Sequence, residues 1–197
     1  GAKIKQGLKV QGIPTSDASA KCAREFGVPL IDPDKVERIH LTVDGADEVD
    51  KNFQLIKGGG ACLLREKIIA DSSDHMAVIV DGSKMVEHLG VFKLPIEVDP
   101  FAMALTAERI YTALEQSGCE HASTTLRLLK GGKKPLITDG GHFILDCDCK
   151  VIPDPRYTAS LLAQIPGVME HGLFIDIATT LIIGEEGRAK VMEIVRE

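Results

Sequence analysis

Three short polar loops in this 197-residue chain carry side chains suited to chemistry. They read Asp44-Gly45-Ala46-Asp47, Lys57-Gly58-Gly59-Gly60 and Asp81-Gly82-Ser83-Lys84, and each follows a short apolar run. In an open parallel sheet, ligands bind beyond the carboxyl ends of the strands, so these loops are expected to share one rim. Carboxylates, a glycine loop that opens a helix, and two lysines converge there. Glycine N–H groups can approach an anion closely, and the following helix adds a favourable dipole. The loop matches neither G-x-x-x-x-G-K-[ST] nor G-x-G-x-x-G, so a nucleotide is not supported. A tight strand-to-helix turn is the plain alternative.

Glu66 lies inside the helix that follows. Its neighbours at three and four residues are Cys62, Leu63, Ile69 and Ala70. A carboxylate in such an apolar seam would have a raised pKa and could serve as a general base. Arg65 has equally apolar neighbours in Ala61, Cys62, Ile68 and Ile69, so periodicity alone does not choose which of the two turns inward. Asp44 and Asp47 could bind a cation, act on hydroxyls or simply cap the turn. No His or third carboxylate stands at a fixed spacing from them, and no metal is assigned. His142 and His171 sit beside strand ends and read as structural histidines.

The elements that must position these groups alternate. Strand runs are expected at Leu8–Ile13, Val28–Ile31, Ile39–Val43, Phe53–Ile56 and Met76–Val80. Helices are expected from Ser16 or Asp17 to Phe26, near Lys35–Glu37 and over Ala61–Ala70. Strands alternating with helices indicate a doubly wound, mostly parallel sheet. Few residues precede Leu8, which leaves no room for a leading helix. The rhythm changes after about Val91. Strand Leu94–Val98, helix Pro100–Ser117, strands Ala122–Leu129, Leu136–Thr138 and Phe143–Asp146, helix Pro155–Gln164 and strand Val168–Phe174 give the order β-α-β-β-α-β of a ferredoxin-like unit. Ile175–Ile183 is expected to rejoin the first sheet. The fold class is therefore α/β: a Rossmann-like domain over residues 1–91 and 175–197, with an α+β ferredoxin-like domain over residues 92–174.

Composition narrows the function. The net charge of −6 contains no long basic run, which argues against a phosphate-neutralising nucleic-acid binder. Aromatic residues make up 4% with no Trp, which weakens any base-stacking surface. No apolar stretch approaches the roughly 20 residues that span a bilayer, and no signal peptide is expected. Five cysteines are an odd number, and Cys147-x-Cys149 lacks a second ligand pair for structural zinc. Reduced thiols in the cytoplasm, or in an organelle of similar redox poise, follow.

At these residues the chain resembles the type A ribose-5-phosphate isomerases. The specific matches run from Val43 to Asp50 (Val-Asp-Gly-Ala-Asp-Glu-Val-Asp) and from Leu55 to Lys67 (Leu-Ile-Lys-Gly-Gly-Gly-Ala-Cys-Leu-Leu-Arg-Glu-Lys). Ser16–Ser19, Asp81–Lys84, Thr138-Asp139, Ile165–Val168 and Gly172–Phe174 support them in order along the chain. The resemblance implies interconversion of ribose 5-phosphate and ribulose 5-phosphate in the pentose phosphate pathway, with neither metal nor organic cofactor. It implies that Glu66 moves a proton between carbons 2 and 1 through an enediolate. Asp44 would assist ring opening and hydroxyl proton movement, and Asp47 would hold substrate hydroxyls. Lys57 and Lys84 would favour developing oxyanion charge, and Gly58, Gly59 and Gly60 would line the sugar site beside Gly45 and Ala46. A homodimer or homotetramer is implied as well.

The chain departs from the family pattern at Gly140 and His142, where asparagines are frequent. The family's leading helix, central strand and Gly-Thr-Gly-Ser-Thr phosphate loop do not precede Leu8 in these residues. Two other readings stay in view. A non-catalytic sugar-phosphate-binding module would be expected to lose the base, and acyl or CoA transfer by a glutamate nucleophile has no separate support here.

Overall fold

The computed structural model describes residues 1–194. In chain order its strands are β1 (Thr42–Asp44), β2 (Glu48–Val49), β3 (Leu55–Ile56), β4 (Met76–Asp81), β5 (Leu94–Val98) and β6 (Ser123–Leu126). They continue as β7 (Phe143–Asp148), β8 (Val168–His171), β9 (Leu173–Phe174), β10 (Thr180–Glu185) and β11 (Arg188–Glu193). The helices are α1 (Ala2–Lys5), α2 (Asp17–Glu25), α3 (Leu63–Asp71), α4 (Met103–Gln116) and α5 (Pro155–Leu162).

The first sheet has the order β1-β4-β10-β11, parallel across its first three strands and antiparallel at its last pair. Met76, Val78, Val80, Leu181 and Ile183 fill its buried face against Phe174. The parallel register puts Val43, Ala77, Ile79 and Ile182 on the other face, where Val43 is 57% exposed and Ile79 49%. The antiparallel sheet β6-β7-β5-β8 is visited in the chain order β5-α4-β6-β7-α5-β8, which is the ferredoxin-like arrangement. Its core gathers Leu94, Ile96, Val98, Ile110, Leu114, Leu145 and Leu162. The cross-strand pairs Pro95↔Asp146 and Glu97↔Ile144 occupy the alternate positions, on the opposite face. A small third sheet, β2-β3-β9, joins the two halves.

Helix starts follow local chemistry. Ser16 Oγ accepts the Ser19 N–H at 2.9 Å, and Asp154 accepts that of Tyr157 at 2.9 Å, with Pro155 as the first helical residue. Helix α3 begins two residues later than its apolar pattern, because Ala61 is left-handed at φ +63°. Similarly, Ala102 at φ +52° delays α4 to Met103.

Several expected elements are shorter or absent. Leu8–Ile13 and Val28–Ile31 are irregular and share one parallel bridge, Gly12↔Leu30. Neither run finds a neighbouring ladder, and β propensity alone does not hold a strand. Leu136–Thr138 is likewise no strand; Pro135 makes a single bridge to Leu128. Ile39–Val43 contracts to β1, and Lys35–Glu37 is replaced by a 3-10 turn at Pro33–Lys35. A single helical turn, α1, does precede Leu8, contrary to expectation. Val168–Phe174 breaks at Gly172: β8 pairs with β5, while β9 pairs with β3. Residues 195–197, assigned from sequence to the first domain, lie outside the described residues. No helix among the described residues is long and apolar enough to cross a membrane.

Candidate active site

The site is built from the ends of β1 and β3 and the first turns of α3. Strand β3 is paired on both sides, by β2 and β9, so Leu55 and Ile56 are buried and Lys57 emerges from a fixed base. Its backbone N–H donates to the Gly172 carbonyl at 2.9 Å. Only 4% of the Lys57 side chain is exposed, and its ammonium has three oxygen partners. It donates to Gly45 O at 2.7 Å, and lies 3.0 Å from Asp44 Oδ2 and 3.2 Å from Glu66 Oε2. It also stands 5.4 Å from the centre of the Phe174 ring. A buried ammonium needs such compensation, and the two carboxylates provide it.

Burial raises the Glu66 pKa above its ordinary value. The Asp44 and Asp47 carboxylates push the same way, and Lys57 opposes them. A carboxyl group poised above the usual range accepts a carbon-bound proton better than an ordinary one. The choice that periodicity left open is thus made by partners. Glu66 turns to Lys57, while Arg65 turns to Asp17 Oδ1 at 3.0 Å and to the Asp139 carbonyl at 3.0 Å.

The glycine loop lies beside this trio. Gly59 N–H donates to Asp47 Oδ2 at 2.8 Å. Gly58 has φ +111°, and a Cβ there would fall 2.7 Å from Leu63 Cδ2. Gly60 has open space around its Cβ position. Gly45 N–H donates to Asp44 Oδ1 at 2.8 Å, and Ala46 packs on the first core. Lys84 ends the 3-10 turn Gly82–Lys84 at the carboxyl end of β4, beside β1 in the sheet. Among the described residues it makes no ion pair with Asp44, Asp47 or Glu66. Nor are three or more His, Cys, Asp or Glu side chains grouped there to hold a metal ion.

Gly172 is the tightest point. Its N–H donates to Pro95 O at 2.7 Å, and a Cβ would stand 2.3 Å from the Lys57 carbonyl oxygen. Both neighbours are backbone atoms or a ring and cannot swing aside. Gly172→Ala is expected to cost about 2–3 kcal/mol of stability, as overpacking does. Denaturant unfolding will read this, and a loss below about 0.5 kcal/mol would contradict it.

Behind Glu66, Lys67 packs into the other half of the chain. Its ammonium donates to Glu170 Oε1 at 2.7 Å and His171 O at 2.7 Å, with His171 Nδ1 at 3.2 Å and the Phe174 ring centre at 5.0 Å. Burial, and then the Lys67 charge, lower the His171 pKa to about 4. A group of ordinary pKa 6.5 held neutral to about 4 binds fewer protons folded than unfolded between those values. Its contribution to stability is complete above about pH 6.5 and is lost as pH falls towards 4. Replacing His171 with Gln should flatten the stability–pH curve in this window, measured by urea unfolding; an unchanged slope would contradict it. His142 is also occupied: its Nδ1 lies 2.9 Å from Glu97 Oε1, which accepts the Thr138 hydroxyl at 2.7 Å.

With this geometry in place, residues 11–188 match the family description of ribose 5-phosphate isomerase A (phosphoriboisomerase A). The chain belongs to that family. It is 57% identical over 194 residues to the ribose-5-phosphate isomerase A of Maricaulis maris, covering 98% of this chain and 83% of the relative. Against the Rhodopseudomonas palustris (strain BisB5) enzyme the identity is 50% over 189 residues, covering 95% and 80%. A solved D-ribose-5-phosphate isomerase in complex with phospho-erythronic acid superimposes with TM-score 0.87 at 38% identity, covering 98% and 82%. The ribose 5-phosphate isomerase A of Methanocaldococcus jannaschii gives TM-score 0.86 at 33% identity, covering 97% and 81%.

Sequence reasoning missed the residues that surround the trio and its glycine loop. Phe174 sits within an ordinary strand run, and Lys67 carries no spacing signal tying it to Glu170 and His171. Arg127 lies at an alternating position of an apolar strand, yet it reaches the glycine loop.

Proposed function

We propose that this chain interconverts ribose 5-phosphate and ribulose 5-phosphate, with Glu66 as the base that carries the proton. The observation that carries the reading is the buried Lys57 ammonium held between Asp44 and Glu66. In the open-chain aldose, Glu66 takes the proton from carbon 2. The electron pair left behind forms the carbon 1–carbon 2 double bond, and negative charge develops on oxygen 1. Lys57 supplies the cation for that oxygen, which is most effective in a site with little water. Glu66, now neutral, returns its proton to carbon 1. The oxygen 2 proton leaves through Asp44 as the ketone forms, and oxygen 1 gains a proton. Asp47 and the loop Gly58, Gly59 and Gly60 hold the hydroxyls, while Lys84 adds positive charge at the same rim.

The direct test is ketose formation from ribose 5-phosphate. No turnover by the chain joined to a relative's leading segment would overturn the reading. Phospho-erythronic acid, bound in the related structure, should compete with ribose 5-phosphate here. The boundaries at residues 91/92 and 174/175 divide the site-bearing half from the antiparallel half in this proposal. Five free thiols support a cytoplasmic setting. A homodimer or homotetramer is part of the same reading, and a monomer in light scattering would overturn that part.

A further inference from the structure

We infer that Arg127 is a positioning residue for the Asp47 carboxylate, acting from the antiparallel sheet through the Gly58–Gly59 peptide. This rests on the reading that Asp47 holds substrate hydroxyls. Arg127 directly follows β6, and its guanidinium is mostly buried. One edge is taken by Asp146, with Nε donating to Oδ2 at 2.9 Å and Nη2 paired with Oδ1. That two-point grip fixes the plane of the guanidinium, which a lysine could not reproduce. The remaining nitrogen, Nη1, crosses to the loop and donates to Gly58 O at 2.7 Å and Gly59 O at 3.2 Å.

The geometry of a peptide unit makes this contact consequential. The carbonyl of Gly58 and the N–H of Gly59 belong to one planar unit and, when trans, point in opposite directions. Arg127 grips the oxygen end, and the N–H end donates to Asp47 Oδ2 at 2.8 Å. Holding the carbonyl therefore aims the N–H, and the N–H aims the carboxylate. A cation on the oxygen also polarises the unit and strengthens the bond at its far end. The Gly58 carbonyl also accepts the Ala61 N–H at 3.1 Å within the loop, and Arg127 adds the shorter, charged contact from outside it. Gly58 and Gly59 have no side chains, and Cβ atoms there would meet Leu63 at 2.7 Å and Asp47 at 2.7 Å. Glycine leaves the backbone conformationally free, and this loop is held by these contacts, Arg127 supplying the one from the antiparallel sheet.

Arg127 could instead serve only to neutralise Asp146, so the test separates the two roles. Steady-state kinetics with ribose 5-phosphate would compare Arg127→Met, Arg127→Lys, Arg127→Met with Asp146→Leu, Asp47→Asn, and Arg127→Met with Asp47→Asn. Arg127→Met should raise KM about ten- to hundredfold, the range for a hydrogen bond to a charged group, with a smaller fall in kcat. Arg127→Lys, which retains one donor for the Gly58 carbonyl, should recover part of that rise. Adding Asp146→Leu should not restore KM, and Arg127→Met should change KM less than about threefold once Asp47 is Asn.

Recovery of KM on adding Asp146→Leu would overturn the inference, because the defect would then be an unpaired Asp146. Full additivity with a raised KM in Asp47→Asn would also overturn it while leaving the Asp47 reading intact. An unchanged KM in Asp47→Asn alone would overturn that reading and the inference with it. Should Arg127→Met fail to fold, Arg127→Lys in both Asp47 backgrounds decides by the same non-additivity.

Discussion

Glu66→Gln should lower kcat by about 10²–10⁴-fold, the range expected when a general acid–base is removed. The substitution keeps the shape of the side chain and removes its basicity. Lys57 retains Asp44 and the Gly45 carbonyl as partners, so no buried cation is orphaned. The loss should therefore fall on kcat with little change in unfolding midpoint. Ketose appearance from ribose 5-phosphate measures it, and a kcat within about threefold of the parent would remove Glu66 from the proton path. In the parent, activity should rise with pH as Glu66 loses its proton. Burial raises that group above its ordinary 4.5, so the ascending limb should lie above the position of a solvent-exposed glutamate.

Lys57→Met should cost about 10²–10³-fold in kcat, comparable to losing a preorganised donor at a developing oxyanion. It should also move the pH profile. Burial is the largest influence on Glu66 and raises its pKa, and Lys57 is the principal influence that lowers it. Removing the ammonium leaves Asp44 and Glu66 facing each other without a cation. The Glu66 pKa rises further, and the ascending limb moves to higher pH. Asp44→Asn should move it the other way, because the Asp44 charge raises Glu66. Profiles of kcat/KM for the two variants decide this, since displacement in the same direction would contradict the electrostatic account of the trio.

The parts of this site that could be read in the sequence were those encoded locally. The Asp44–Asp47 turn, the Lys57–Gly60 loop and the cap at Ser16 depend on residues within a few positions of each other. The ferredoxin-like order is legible for the same reason: its helices and central strands have clear periods. Leu8–Ile13 has the same apolar content as a true strand but makes only the single bridge Gly12↔Leu30 and no ladder, which no local pattern reveals. The decision between Arg65 and Glu66 was illegible because the residues three and four positions from each of them are all apolar. It is made by Lys57 on one flank and by Asp17 and Asp139 on the other. Arg127 was hidden for a similar reason, since it lies 69 residues from the Gly58 carbonyl that it holds.

Gly172 bears on how the enzyme fails when heated. The two halves have separate apolar cores, and such cores need not melt together. The chain passes between them at Gly172, whose carbonyl holds the Lys57 N–H and whose own N–H is held by Pro95. If either half loosens, this splice opens and the Lys57 ammonium loses its footing. Thermal inactivation will therefore report the weaker half, even while the stronger one still keeps its shape.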